Sequence, residues 1–343
     1  MALPLLILGL SRLELDLIYS LLYILILPGF ATALLITLFI IWFERKAAAR
    51  VQMRYGPLWV SRRTGGIIQL LADGIRFSFQ EFILPAGADA LPFVFLPGLL
   101  LSFSLMPVVF TPVAPAYAIL FPAGYTLILA AAFTMIIPVL LVVLGWAADN
   151  KFSFLGSLRE AYLLISYEVP FLISVASMFL IYRTLNLSFA VLEQRSLPGL
   201  LANPLAAIVF LLVVIRSTGR VPYDIVEADS ELVFGPYTEY SSLMFGLVMG
   251  VPYMELYGYS LFFSVLFLAG WLPISGTGWL MGFIVPAVVT VLKALIVMCF
   301  LVFLRSVYPR FKLNRAMEVG WGWVMYLALA GLLLSVIEVA IGW

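Results

Sequence analysis

The sequence predicts an all-α polytopic membrane protein of about eight transmembrane helices, several of them long or tilted, with an interfacial amphipathic helix and charged loops. Three observations lead there. Hydrophobic residues make up 64% of the 343 residues and charged ones only 11%. Mean hydropathy is +1.13, more apolar surface than a soluble core of this length can bury, so lipid is the main solvent. The apolar residues fall in runs of about 20 or more, the length that crosses a bilayer.

The spans read as 17–44, 90–112, 117–147, 160–182, 203–218, 237–270, 280–305 and 317–342. The first, third and sixth exceed one crossing, which implies tilt or a break; the fifth is short. Pro170 and Pro252 lie inside spans, where kinks are expected. Residues 65–81 are too short and mixed to cross, but Ile67, Leu70, Leu71, Gly74, Ile75 and Ser78 share one stripe, which predicts the amphipathic helix. No repeat or low-complexity segment divides the chain, so it reads as one membrane domain over 1–343. The N-terminus has no basic stretch before its apolar run and reads as mature chain rather than a cleaved signal.

Loops after the first, third, fifth and seventh spans hold 15 of the 19 basic residues. The positive-inside rule puts those loops in the cytoplasm and both termini outside. With a net charge of +1 there is no basic footprint for nucleic acid. One cysteine and no histidine argue against a disulfide, a haem or an iron–sulfur cluster held by this chain alone, and against a typical catalytic zinc. A proton path here must use carboxylates, lysine, tyrosine, hydroxyls and water.

Charge gathers in four patches. The first runs from Glu44-Arg45-Lys46 through Arg50, Arg54 and Gly56-Pro57. Membrane anchoring explains most of its arginines as well as a functional role does, whereas Glu44 beside Arg45 suggests a fixed ion pair. The second carries Arg159, Glu160 and Glu168. The two acids lie eight residues apart, about 80° around a helix, and could line one cavity; a solvated helix end explains Glu160 equally well. The third, 216–240, concentrates Asp224, Glu227, Asp229, Glu231 and Glu239, five of the chain's 18 acids, and interleaves them with Tyr223, Ile225, Val226, Leu232 and Phe234. A freely solvated loop has no need of such apolar partners. The fourth, 305–315, reads as basic anchoring. Lys293, in mid-span, calls for a carboxylate or a water-filled cavity, and Glu255 is its counterpart in sign.

Together these blocks resemble the quinone-site membrane subunit of respiratory complex I, the subunit 1 or H family. The resemblance covers nearly the whole chain: Glu44-Arg45-Lys46 with Arg54 and Gly56-Pro57; Ala72-Asp73 and Glu81; Gly145-Trp146-Ala147 with Lys151; Arg159 and Ile165-Ser166-Tyr167-Glu168; Arg220, Pro222, Asp224, Glu227, Glu231-Leu232-Val233 and Thr238-Glu239-Tyr240-Ser241; then Lys293, Arg305 and Pro309-Arg310. It implies a plasma-membrane subunit of a proton-translocating quinone oxidoreductase. Such a subunit is not catalytic alone and takes quinone as bound substrate, with flavin, haem and iron–sulfur clusters on other chains. Its partners would be peripheral-arm iron–sulfur and quinone-site subunits and the small membrane subunits of the proton axis. Carried over by residue, Glu44, Arg45, Arg54, Asp73, Glu81 and Arg159 would line the quinone chamber or its entrance. Glu168, Asp224, Glu227, Asp229, Glu231 and Glu239 would couple protons, with Arg220 and Lys293 as positive partners, and Glu160 and Glu255 as weaker candidates.

Two departures stand out. Ser217 and Pro252 occupy places where the family usually carries Glu. Glu255 lies three residues past Pro252 on nearly the same helical face, so that carboxylate reads as displaced rather than lost. Two other readings are the equivalent subunit of a membrane-bound hydrogenase or ferredoxin-linked ion pump, and a stand-alone secondary transporter. The surviving quinone-side blocks weigh against the first, and the lack of internal repeats against the second.

Overall fold

The computed structural model describes residues 21, 23–115, 117, 124–274, 276 and 280–341, with backbone alone for 229, 230 and 280. Among the described residues regular structure is helical and no strand occurs. The principal helices are α1 (Phe30–Val51), α2 (Ile68–Phe79), α3 (Ala90–Phe110), α4 (Thr126–Ala147), α5 (Lys151–Tyr182), α6 (Pro204–Ser217), α7 (Ser242–Phe267) and α8 (Val285–Arg305). A last helix, α9 (Leu313–Ile341), passes through a π-helical turn at Gly320–Val324. Six helices are long and apolar enough to cross a membrane, those containing α1, α3, α4, α5, α8 and α9.

The other two expected spans depart from that pattern for physical reasons. At 14 residues, α6 is about 21 Å long and falls short of a ~30 Å hydrocarbon core. Its start is fixed by Asn203, whose side chain accepts from the Ala206 N–H at 3.0 Å and donates to the Gly331 carbonyl of α9 at 2.8 Å, with Pro204 at the first helical position. Helix α7 is 26 residues long but carries Glu255 and several tyrosines. Protein replaces lipid around it: every residue from Met254 to Phe267 is buried.

Helix α5 spans 32 residues, about 48 Å, and begins nine residues before the expected span at 160. Asn150 caps it by accepting from the Phe152 N–H at 2.9 Å. Both α5 and α7 stay helical through Pro170 and Pro252. Helix α7 packs against α1, α2, α3, α6 and α8, while α5 packs against α4, α6 and α9. The two are the central posts of the bundle. The amphipathic helix forms as α2, shorter than 65–81, with Leu70 its one buried residue. Residues 17–20 and 22 of the first expected span, 118–123 of the third and 342 of the eighth lie outside the described residues.

Candidate functional site

The acidic segment lies across one end of the bundle, where α1, α6 and α8 finish and α5, α7 and α9 begin. Its fold depends on a close turn. Gly235 adopts φ +55°, and a Cβ there would sit 2.1 Å from the Val226 carbonyl oxygen, so no other residue fits without moving the chain. The turn brings Pro236 and Tyr237 down between α4 and α5. The segment is pinned to the start of α9 as well: the Phe311 N–H donates to the Pro222 carbonyl at 2.9 Å, and the Tyr223 ring meets Phe311 edge-on at 5.6 Å.

Three ion-pair groups converge here. Glu44, buried in the last turns of α1, pairs with Arg220 at 3.5 Å and with Arg305 at the end of α8. The Arg220 guanidinium lies 5.0 Å from the Tyr253 ring centre, a cation–π arrangement. The expected pairing of Glu44 with Arg45 does not form, because neighbours on a helix point about 100° apart. Arg45 reaches Asp73 on α2 instead, at 2.9 Å.

In the second group, Arg216 pairs with Glu160 at 2.8 Å with both side chains buried. The third is solvent-facing: Arg159 bonds Glu231 at 2.6 Å and the Ile225 carbonyl at 3.2 Å. The hydrogen bond and charge of Arg159 hold the Glu231 carboxyl below its ordinary value.

A polar cavity opens between these groups, lined by Glu160, Arg216, Ser217, Thr218, Asp224, Glu227, Tyr237, Pro252 and Glu255 among others. It offers water-sized space of about 20 Å³, enough for a bound water. Glu160 and Glu168 do not line it together. Glu168 lies two turns deeper, about 12 Å along α5; it is buried and neither carboxylate oxygen has a hydrogen-bond partner among the described residues. Glu239 accepts a hydrogen bond from the Asn150 side chain, which joins it to the cap of α5. Arg54 and Glu81 are exposed. The side chain of Asp229 lies outside the described residues.

Among the described residues Lys293 meets no carboxylate. Its ammonium donates to the carbonyls of Leu268, Gly270 and Leu272 at 2.8, 2.7 and 2.8 Å, closing the far end of α7. Helix ends leave carbonyls without partners, and a lysine there satisfies them. Glu255 is about 20 Å away along α7.

Four residues were not singled out as site residues by sequence reasoning. Arg216 ends an apolar helix, and its depth was the available signal. Arg305 read as surface anchoring, although it bridges to Glu44. Asn150 and Tyr259 carry no charge to mark them.

Fold and site together define a multi-pass helical membrane protein that keeps paired acids, arginines and a polar cavity inside one end of its bundle. A family model described as NADH dehydrogenase matches residues 23–336. The H subunit of NADH-quinone oxidoreductase from Dehalococcoides mccartyi is 31% identical over 329 residues, covering 94% of this chain and 88% of that protein. The proteins of the same name from Bacillus mycoides and Bacillus thuringiensis are 34% and 33% identical over 292 residues, covering 85% of this chain and 86% of theirs. The chain belongs to this family.

Proposed function

We propose that the chain is the quinone-chamber and proton-coupling membrane subunit of a proton-translocating oxidoreductase of complex I type. The observation that carries this reading is the cavity beneath the acidic segment. Four acids face it (Glu160, Asp224, Glu227 and Glu255), alongside buried Arg216. Glu160 and Glu255 are buried, and buried acids are costly unless they handle protons or pair. The names of the relatives supply quinone as the substrate class and an oxidoreductase as the assembly.

In this reading Glu44, Arg45, Arg54, Asp73, Glu81 and Arg159 border the quinone chamber. Glu168, Asp224, Glu227, Asp229, Glu231 and Glu239 carry the coupling, with Arg220 as their positive partner. Lys293 is a positioning residue, given its three carbonyl bonds. The basic loops face the cytoplasm and dock the redox arm, and small membrane subunits continue the proton axis. The flavin and iron–sulfur clusters belong to partner chains. The coupling is electrostatic: charge placed on quinone near Glu44 and Arg220 changes the field at the cavity. Opposite unit charges ~4 Å apart interact by about 4 kcal/mol at an effective dielectric of ~20, enough to move a carboxylate between protonation states, since ~1.4 kcal/mol is one pKa unit.

The test is Glu168→Gln in the whole complex reconstituted in liposomes, with quinone reduction and proton uptake measured together. The expected result is an assembled complex that pumps poorly. Normal pumping overturns the reading.

A further inference from the structure

Apart from Glu44, which has its arginine ion pairs, two buried carboxyl groups lack hydrogen bonds among the described residues: both oxygens of Glu168 on α5, and Oε1 of Glu255 on α7. A buried carboxyl without partners is costly, so such a pair calls for a role. Two hydroxyl groups lie on or beside the helices that carry these carboxyls. Tyr259 is fully buried, one helical turn beyond Glu255 and on the same face. Its hydroxyl donates to Ser217 Oγ at 3.4 Å. Ser217 lines the same cavity as Glu255. On the other side, the Tyr259 ring packs edge-on against Phe171 at 5.8 Å, one turn from Glu168 on α5. The charges of Glu168 and Glu255 both act on Tyr259, and its hydroxyl also neighbours the Thr134 hydroxyl. Its ring contacts account for the ring's burial, but not for a hydroxyl aimed at Ser217.

We infer that Tyr259 and Ser217 form a hydroxyl bridge that passes protons between Glu168 and the cavity, with Glu255 as the cavity-side carrier. This rests on the proton-coupling reading above. In the geometry seen the Glu168 carboxyl makes no hydrogen bond among the described residues; rotation of its side chain toward Tyr259 Oη is the step that lets it give its carboxyl proton to that oxygen. Tyr259 gives its own hydroxyl proton to Ser217 Oγ, and Ser217 releases its own through a cavity water to the Glu255 carboxylate. At each hydroxyl one O–H bond forms and one breaks, so Glu168 ends ionised, Glu255 ends protonated and neither hydroxyl changes charge. Rotation of the two hydroxyls resets the bridge, a motion open to Ser and Tyr O–H groups. Glu255 thus supplies a carboxylate to the cavity that Ser217, in the same wall, does not.

The experiment uses the intact complex in liposomes and reads protons translocated per quinone reduced. Tyr259→Phe keeps the ring and removes the hydroxyl; Glu255→Gln keeps the shape and removes the ionisable proton. Each is expected to lower translocation at least about tenfold, the scale of a lost proton-transfer group. Glu255→Asp, which keeps a carboxylate at that place, is expected to retain most of the translocation that Glu255→Gln loses, a rescue that a purely structural role of Glu255 would not give. If Glu168→Gln pumps poorly while Tyr259→Phe and Glu255→Gln pump normally, the bridge is overturned and the coupling reading stands. If all three pump normally, both fall. If Glu255→Asp pumps as poorly as Glu255→Gln, Glu255 is overturned as the cavity-side carrier.

Discussion

Arg216 holds Glu160 twice with one nitrogen: Nη2 donates to the carboxylate at 2.8 Å and to the backbone carbonyl of the same residue at 3.1 Å. Both side chains are buried, and they join the last turn of α6 to the first third of α5. The contact makes up for the shortness of α6. A helix about 21 Å long gains its hold on the bundle from Asn203 at one end and Arg216 at the other.

Breaking this pair from one side should cost far more than removing both partners. Glu160→Ala leaves a buried guanidinium without its counter-charge, a change of about 3–5 kcal/mol. The double change Glu160→Met with Arg216→Leu removes both charges and should recover most of that loss. Thermal unfolding of the purified complex, followed through this subunit, checks both. Equal losses in the single and double variants would show that the pair does not act as a unit.

The Arg159–Glu231 pair predicts a pH effect with a definite sign. Arg159 depresses the Glu231 pKa below the ordinary 4.5. The contact therefore contributes fully above 4.5 and is lost as pH falls through the lower folded-state value. Glu231 is more than half exposed, so the contribution is at most about 1 kcal/mol and shrinks with salt. Limited proteolysis of the acidic segment from pH 7 downward should show protection persisting to lower pH in the unaltered protein than in Arg159→Gln. At high salt the two should converge.

Lys293 gives a prediction that separates positioning from proton transfer. Lys293→Met deprives three carbonyls of a charged donor, and charge-assisted bonds are worth about 1.5–3 kcal/mol each at most. Thermal stability and yield should fall. Pumping per assembled complex should not, because the ammonium is bound to backbone and lies far from the cavity. A loss of pumping at unchanged yield would return Lys293 to the proton path.

Much of this fold was legible because lipid imposes a simple rule: apolar runs of about 20 residues become helices. The rule weakens where protein replaces lipid. Lys151 and Arg159 made the start of α5 look like a loop, yet they ride on a continuous helix that passes beyond the apolar core. Helix α7 is too polar for a lipid-facing span because its neighbours cover it. Within the site, the acids were legible by charge and by the family's blocks, but their partners were not. Glu44 reaches Arg220 and Arg305, distant in the chain, rather than the adjacent Arg45. Glu160 and Glu168 share a helix but not a cavity, because eight residues separate them in depth as well as in angle. Tyr259 was invisible as an uncharged residue in an apolar run; only the packing of α6 against α7 reveals what its hydroxyl meets.

The close approach of the 235–237 turn to α5 yields the last prediction. At Gly156, on the face of α5 turned to that segment, a Cβ would lie 2.7 Å from Pro236 Cδ and 3.0 Å from Gly235 Cα. Neither can swing aside, since one is a ring atom and the other is backbone. Gly156→Ala should therefore push the 235–237 turn off α5, at the ~1–3 kcal/mol typical of overpacking. Tyr237 and Glu227 would move with it, and both line the cavity. Pumping per assembled complex should fall although no charge has changed. Gly250→Ala in α7 is the control: a Cβ there meets nothing within 4 Å, and alanine favours a helix over glycine by up to ~1 kcal/mol, so stability should hold or rise and pumping should be unchanged. If Gly156→Ala pumps as well as Gly250→Ala, the seating of the turn on α5 does not control the cavity.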